Sequence, residues 1–238
     1  LSTDTITARA STLAGRIRDV PTPTPVLDRE LERSLTDRQR HVLDQLGRLF
    51  DSGFADLTMA DMASSLNCSL RTLYELAPSR EQLVLTVIDR NLWRVGRSAM
   101  GAIDDVAPLD AIRTYLEAAN VAVAGTTAPF ARDMEAVPAA QKLSDDHSDY
   151  LVAVTRCLLD MAVECGDIPD VDTAAVARVM ASLGRDFALA QVFATLRSSP
   201  KEAADAVLGV IMRGLTTSDD DGRVIGDEVD DDRNGAHR

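Results

Sequence analysis

The sequence predicts an all-α protein of about nine helices, and three observations lead there. Apolar residues recur at three- and four-residue spacings in segment after segment from Thr36 to Leu215, the pattern left by one buried helical face. Several of these segments open on a Thr or Ser placed to cap a helix, with Gln or Asp three residues later. No stretch sustains the two-residue alternation and hairpin turns that strands require.

Residues 1–35 mix charges evenly and carry Pro21, Pro23 and Pro25 at alternate positions, which favours extended chain over helix, so a flexible N-terminal arm is expected. A first helix follows, with Val42, Leu43, Leu46, Leu49 and Phe50 on one face, a Thr36-x-x-Gln39 box at its start and Gly53 at its close. Thr58-x-x-Asp61 opens a short second helix that buries Met59, Met62, Ala63 and Leu66 and ends at Asn67-Cys68. Ser69 caps a third helix, which Pro78-Ser79 breaks. Ser79-x-x-Gln82 opens a long fourth, with Leu83, Val84, Val87, Ile88, Trp93 and Val95 as its apolar surface.

Five more helices are expected: one after Pro108, one around 129–137, one from a Ser144 cap to Gly166, then Val171–Arg197 and Pro200–Leu215. The last two are apolar around much of their circumference. A helix of that kind must bury two sides, so a subunit core on one and a second copy of the chain on the other is the expected arrangement, a homodimer. The domain plan is an arm at 1–35, a head at 36–90, a body at 91–215 and an acidic, disordered tail at 216–238.

Composition narrows the function. Hydrophobic residues make up 45% of the 238, enough for a substantial core, yet no apolar run approaches the roughly 20 residues of a membrane span, so no membrane partner is expected. The N-terminal residues lack a secretion signal and the three cysteines (Cys68, Cys157, Cys165) form no paired framework, which predicts a cytoplasmic protein. His41, His147 and His237 lie too far apart for a metal site. No phosphate loop, nucleophile elbow or ordered acid–base set occurs, so neither an enzyme nor a cofactor is expected.

The net charge of −13 argues against a nucleic-acid partner until its distribution is considered. Residues 216–238 alone contribute −5, whereas residues 36–90 hold six arginines against eight acids. Nearly all the positive charge is arginine, a usage common in GC-rich bacterial genomes; Lys142 and Lys201 are the only lysines.

The segment from Thr58 to Ala77 reads as two short capped helices joined by a tight polar turn. Such a pair can set its second helix in the major groove of double-stranded DNA. At about 100° per residue, Arg71, Tyr74 and Glu75 fall on one side of that helix and Leu73, Leu76 and Ala77 on the other. The outer side carries donors and acceptors; the inner side is built to pack.

Residues 38–90 resemble the N-terminal domain of the tetracycline-repressor (TetR) family. The resemblance rests on Leu49-Phe50, Gly53-Phe54, Leu57-Thr58-Met59, Ala63, Thr72-Leu73-Tyr74, Pro78-Ser79-Arg80-Glu81 and Leu83, and the nine-helix layout agrees with it. It implies a homodimer, a variable C-terminal pocket for a small-molecule effector, and release from a palindromic operator when the effector binds. It implies DNA contacts at Thr58, Ser69, Leu70, Arg71, Thr72, Tyr74, Glu75 and Arg80. The chain departs from the family at three places: Leu70 stands where a basic or small residue is common, Glu75 where His or Arg often sits, and Leu76-Ala77 where an aromatic pair is usual.

The same residues have plain structural roles. Thr58, Ser69 and Ser79 cap helices, Tyr74 can cover a core edge with its hydroxyl in water, and Glu75 can accept from a cytosine amino group. Few aromatics can reach a pocket in the body. Trp93, Tyr115, Phe130 and Tyr150 are the candidates, and with abundant Ala, Val and Leu they suit an apolar or amphipathic effector. The rival expectation is a helical small-molecule-binding protein with weak or lost DNA binding.

Overall fold

A computed structural model describes residues 15–103 and 106–217 of the chain. The expected acidic tail, apart from its first two residues, and the first fourteen residues of the expected arm lie outside it. Among the described residues the elements are helices, with no strand. The head comprises α1 (Arg29–Ser34), α2 (Asp37–Phe50), α3 (Met59–Ser65) and α4 (Leu70–Leu76). The spine α5 (Arg80–Gly101) leads to the body, formed by α6 (Pro108–Ala119), a 3-10 turn (Asn120–Val123), α7 (Ala128–Ala136), α8 (Pro138–Glu164), α9 (Thr173–Ala188), α10 (Ala190–Phe193) and α11 (Pro200–Thr216).

Four of the five caps read in the sequence hold these helices. Thr36 and Gln39 exchange hydrogen bonds as a capping box, as do Thr58 and Asp61, while the Ser69 and Ser79 hydroxyls accept from the backbone N–H three residues on. The fifth, Ser144, lies inside α8, which begins six residues earlier at Pro138. Proline needs no N–H partner in a first turn, and it keeps Val137 extended (φ −104°, ψ 103°), so the break between α7 and α8 falls there. The helix expected over Val171–Arg197 is also divided, because Leu189 is extended (φ −59°, ψ 135°) between α9 and α10.

Two cores result. Leu43, Leu46, Phe50, Phe54, Met62, Leu73 and Leu83 fill the head, together with Ala140 and Leu143 from the start of α8. Ile112, Tyr115, Leu116, Leu158, Leu159, Met180 and Leu208 fill the body. The first turns of α5 belong to the head core, whereas Ala99 near its end belongs to the body. One rigid rod therefore carries the head on the body.

Residues 15–35, expected as part of a flexible arm, are instead laid along the molecule. Ile17 is buried in the body core and Leu35 in the head core, with residues 21–25 extended between them. The alternate prolines stand in chain without helix, and apolar anchors at both ends hold it down.

Candidate nucleic-acid interface

The turn between α3 and α4 is set by Asn67, which adopts left-handed backbone (φ 49°), a conformation asparagine tolerates better than most residues. The Cys68 N–H then donates to the Ala63 carbonyl at 3.0 Å, closing α3 with the six-to-one bond of a left-handed helix stop. Two residues on, Ser69 starts α4. The second helix leaves at an angle fixed by backbone geometry, and its inner face, Leu73 and Leu76, is buried in the head core.

The outer face of α4 lies in solvent. Leu70, Tyr74 and Glu75 are exposed, and 88% of the Arg71 side chain is accessible, so nothing among the described residues covers this surface. Arg71 Nε donates to Glu75 Oε1 at 3.0 Å, one turn along. The pair orients the guanidinium and offsets its charge, since an approaching phosphate meets the carboxylate too. Thr72 is half-buried; its N–H donates to Ser69 Oγ at 3.1 Å and the two hydroxyls are 2.9 Å apart.

Thr58 is exposed at the start of α3, with its hydroxyl donating to Asp61 Oδ2 at 2.6 Å. Hydrogen bonds from the Thr58 hydroxyl and backbone N–H hold the Asp61 carboxyl below its ordinary range. The charge beside Thr58 is therefore negative, and the hydroxyl is already engaged.

Arg80 departs from expectation. Its Nε donates to the Leu57 carbonyl at 2.5 Å and one Nη to the Phe54 carbonyl at 2.6 Å and to that of Ala55. A guanidinium whose Nε and one Nη donate to three carbonyls of the α2–α3 loop is a brace within the head. The same loop is held from the body side. The Asp133 carboxylate of α7 accepts from the Phe54 and Ala55 N–H groups, the latter at 2.8 Å, and the Phe54 ring packs edge-on to Phe130. Gly53 turns the chain into this grip with φ 103°, where a Cβ would come 3.1 Å from Asp133 Oδ2. Sequence reasoning missed Asp133, which lies 79 positions from Phe54 and carries no local signal.

The four aromatics expected around an effector are not brought together. Tyr115 is a body-core residue, its phenol pushed far up by burial and next by Tyr150; Phe130 sits against the head loop; Trp93 meets the His147 ring edge-on at 5.4 Å. Half-buried Tyr150 borders an open groove, of about 600 Å³, along α8. A neighbouring groove of about 750 Å³ is lined by charged side chains, among them Arg16, Asp149, Arg156 and Arg178. Aromatic rings are the largest apolar fillers in the chain, and the helical core uses most of them.

A small capped head, a short second helix with a bare outer face and a helical body are features of one known class of architecture. No protein-family model matches the chain and no curated protein is significantly similar to it. Solved structures are similar. A TetR-family transcriptional regulator of Thermus thermophilus shares 22% identity over 73% of this chain and 98% of its own, with a TM-score of 0.56. A TetR transcription regulator of Haloarcula marismortui shares 16% identity over 77% and 100%, with a TM-score of 0.60. A ketosteroid transcriptional regulator of Mycobacterium tuberculosis shares 18% identity over 78% and 98%, with a TM-score of 0.51. The chain therefore has the fold of TetR-family regulators, as the resemblance of residues 38–90 implies.

Proposed function

We propose that the protein is a DNA-binding transcriptional regulator, a homodimeric repressor released from a palindromic operator by a small apolar or amphipathic effector. The observation that carries this reading is the bare outer face of α4: Leu70, Arg71, Tyr74 and Glu75 stand in solvent on a helix whose other side is locked into the head core. Exposed Leu and Tyr beside an Arg offer methyl contacts, a hydroxyl and a bidentate donor, the chemistry that reads base edges in a major groove. Thr58, Ser69 and Thr72 border that face as backbone-contact positions, and Arg80 supports it from behind.

A dimer surface completes the reading. On α11, Ala203, Val207, Val210 and Gly214 form one stripe without charge, and Val179 stands exposed on α9, which packs against α11. Two such faces, related by a two-fold axis, would bury each other and set two heads at a fixed separation. The effector acts by tilting α5, and Tyr150 is its proposed first contact. The ketosteroid regulator among the similar structures lends support to an apolar effector. No part of this mechanism requires catalysis or a cofactor.

The rival reading, a helical binding protein with weak DNA affinity, is favoured by the inward Arg80, the Arg71–Glu75 pair and the charged Asp61. Titrating the chain's own upstream duplex at two salt concentrations separates the two readings. A regulator that neutralises several phosphates loses affinity with a log–log slope of about −0.9 per contact. Weak binding without a steep slope would support the rival.

A further inference from the structure

Residues 16–27 cross from the body to the head outside the spine, and their contacts are of three kinds. At the body end, Arg16 makes a bidentate pair with Glu164 at the close of α8 (2.8 and 2.7 Å), and Ile17 enters the body core. Between the ends, residues 21–25 run extended beside α8. At the head end, the Val26 N–H donates at 2.8 Å to Asp89 Oδ2, whose carboxylate is 3% exposed on α5, while Asp89 Oδ1 lies 2.8 Å from His147 Nε2 on α8. One buried carboxylate thus joins the strap, the spine and the body. One residue along, Arg90 reaches Asp44 of α2 at 2.5 Å and approaches Glu32 of α1 at 4.0 Å.

We propose that residues 16–27 are an intramolecular strap that fixes the tilt of α5, and with it the head, relative to the body, with Asp89 as the latch. The spine and the grip of α7 on the α2–α3 loop already join head and body, and a further connection in parallel resists bending until one of its anchors lets go. The Asp89 carboxylate is suited to the latch because a buried charge with two partners strongly disfavours losing either. The Arg16–Glu164 pair is suited to the release end: it is exposed, so its contribution is small and falls with salt. Detachment at Arg16 and Ile17 frees the strap toward Val26, and α5 then tilts about α8. An effector or partner that competes for the α8 surface under residues 21–25 would move the head without entering the core. This device concerns head–body orientation and stands whether or not α4 reads DNA.

Amide hydrogen exchange on the full-length protein tests it. The double variant Arg16→Gln/Ile17→Ser removes the body anchor only. If the strap acts as one mechanical unit, exchange rises about tenfold at Val26, through α1 and in the middle of α5, well beyond the altered residues. Should the double variant fail to fold, Arg16→Gln alone at high salt gives the same pattern in weaker form. Faster exchange confined to residues 15–20, with Val26, α1 and α5 as in the unaltered protein, overturns the proposal. DNA binding plays no part in this readout, so a failed DNA titration leaves the result meaningful.

Discussion

The head and the body solve the same packing problem with different means. In the head, helices of seven residues are too short to be stable alone, so caps and turns define them: Thr58 with Asp61, Asn67 in left-handed backbone, Ser69 with Thr72. In the body, helices run to 27 residues. Thr127, Asp172 and Ser199 cap α7, α9 and α11, but the longest helix, α8, and α6 start without any side-chain cap, so burial of long apolar faces does most to define them. The head's outer surface is consequently a by-product of local rules, and its exposed residues can be read from spacing. The body's surface depends on which helix meets which. Interactions fixed within four residues are legible; those fixed across a hundred are not.

The largest test of this contrast lies in the body. Val210 is 59% exposed, so Val210→Glu costs the folded protomer little, yet in the proposed dimer it would bury an unpaired charge. Such a charge costs about 3–5 kcal/mol. Light scattering should then show a folded monomer for the variant and a dimer for the unaltered chain at micromolar concentration. A dimer that withstands the substitution places the interface elsewhere.

Next in size is Arg80→Ala in the head. Hydrogen bonds from a charged group contribute about 1.5–3 kcal/mol, and here three carbonyls of residues 54–57 lose their donor together. Thermal unfolding should occur at lower temperature by several degrees, while the salt slope of DNA binding, measured well below that temperature, stays the same. A shallower slope with unchanged stability would restore Arg80 as a phosphate contact.

The same contrast explains what the sequence showed. The all-helical class, four caps, the α3–α4 turn and both faces of α4 followed from residues at most a turn or two apart. The bracing role of Arg80 was not legible because its partners are backbone carbonyls, which carry no side-chain signature. Asp133 escaped notice because its partners are backbone N–H groups 78 and 79 positions away. The prolines at 21, 23 and 25 stand in chain without helix, but nothing local told that Ile17 and Leu35 would dock in two different cores. Trp93, Tyr115 and Phe130 were chosen by type, and type alone does not separate a pocket wall from a core.

On the outer face of α4, Arg71 should have a smaller but more specific effect. Arg71→Ala is expected to weaken operator binding by about 1–3 kcal/mol if the guanidinium is bidentate to guanine, and by less if it touches phosphate alone. Fluorescence anisotropy on cognate and scrambled duplexes distinguishes these, since a base contact is lost on the cognate duplex only. The side chain is 88% accessible, so protein stability should not change.

Glu75 gives the smallest and most diagnostic effect, because its carboxylate holds Arg71 at 3.0 Å. Replacing it by Gln keeps the shape and an acceptor but removes the charge. An exposed pair at this spacing contributes only about 0.3–0.5 kcal/mol to the helix, so the fold is unaffected and any change in DNA binding reports on the surface itself. If Glu75 faces phosphate, Glu75→Gln raises affinity on every duplex, because Arg71 is released and a repulsion disappears, and the salt dependence grows no shallower. If instead Glu75 accepts from a cytosine amino group, binding weakens on the cognate duplex alone, and modestly, since the amide oxygen still accepts. Equal affinity on both duplexes at two salt concentrations would mean that neither Glu75 nor the face it shares with Arg71 meets DNA, and the reading surface would have to be sought away from the outer side of α4.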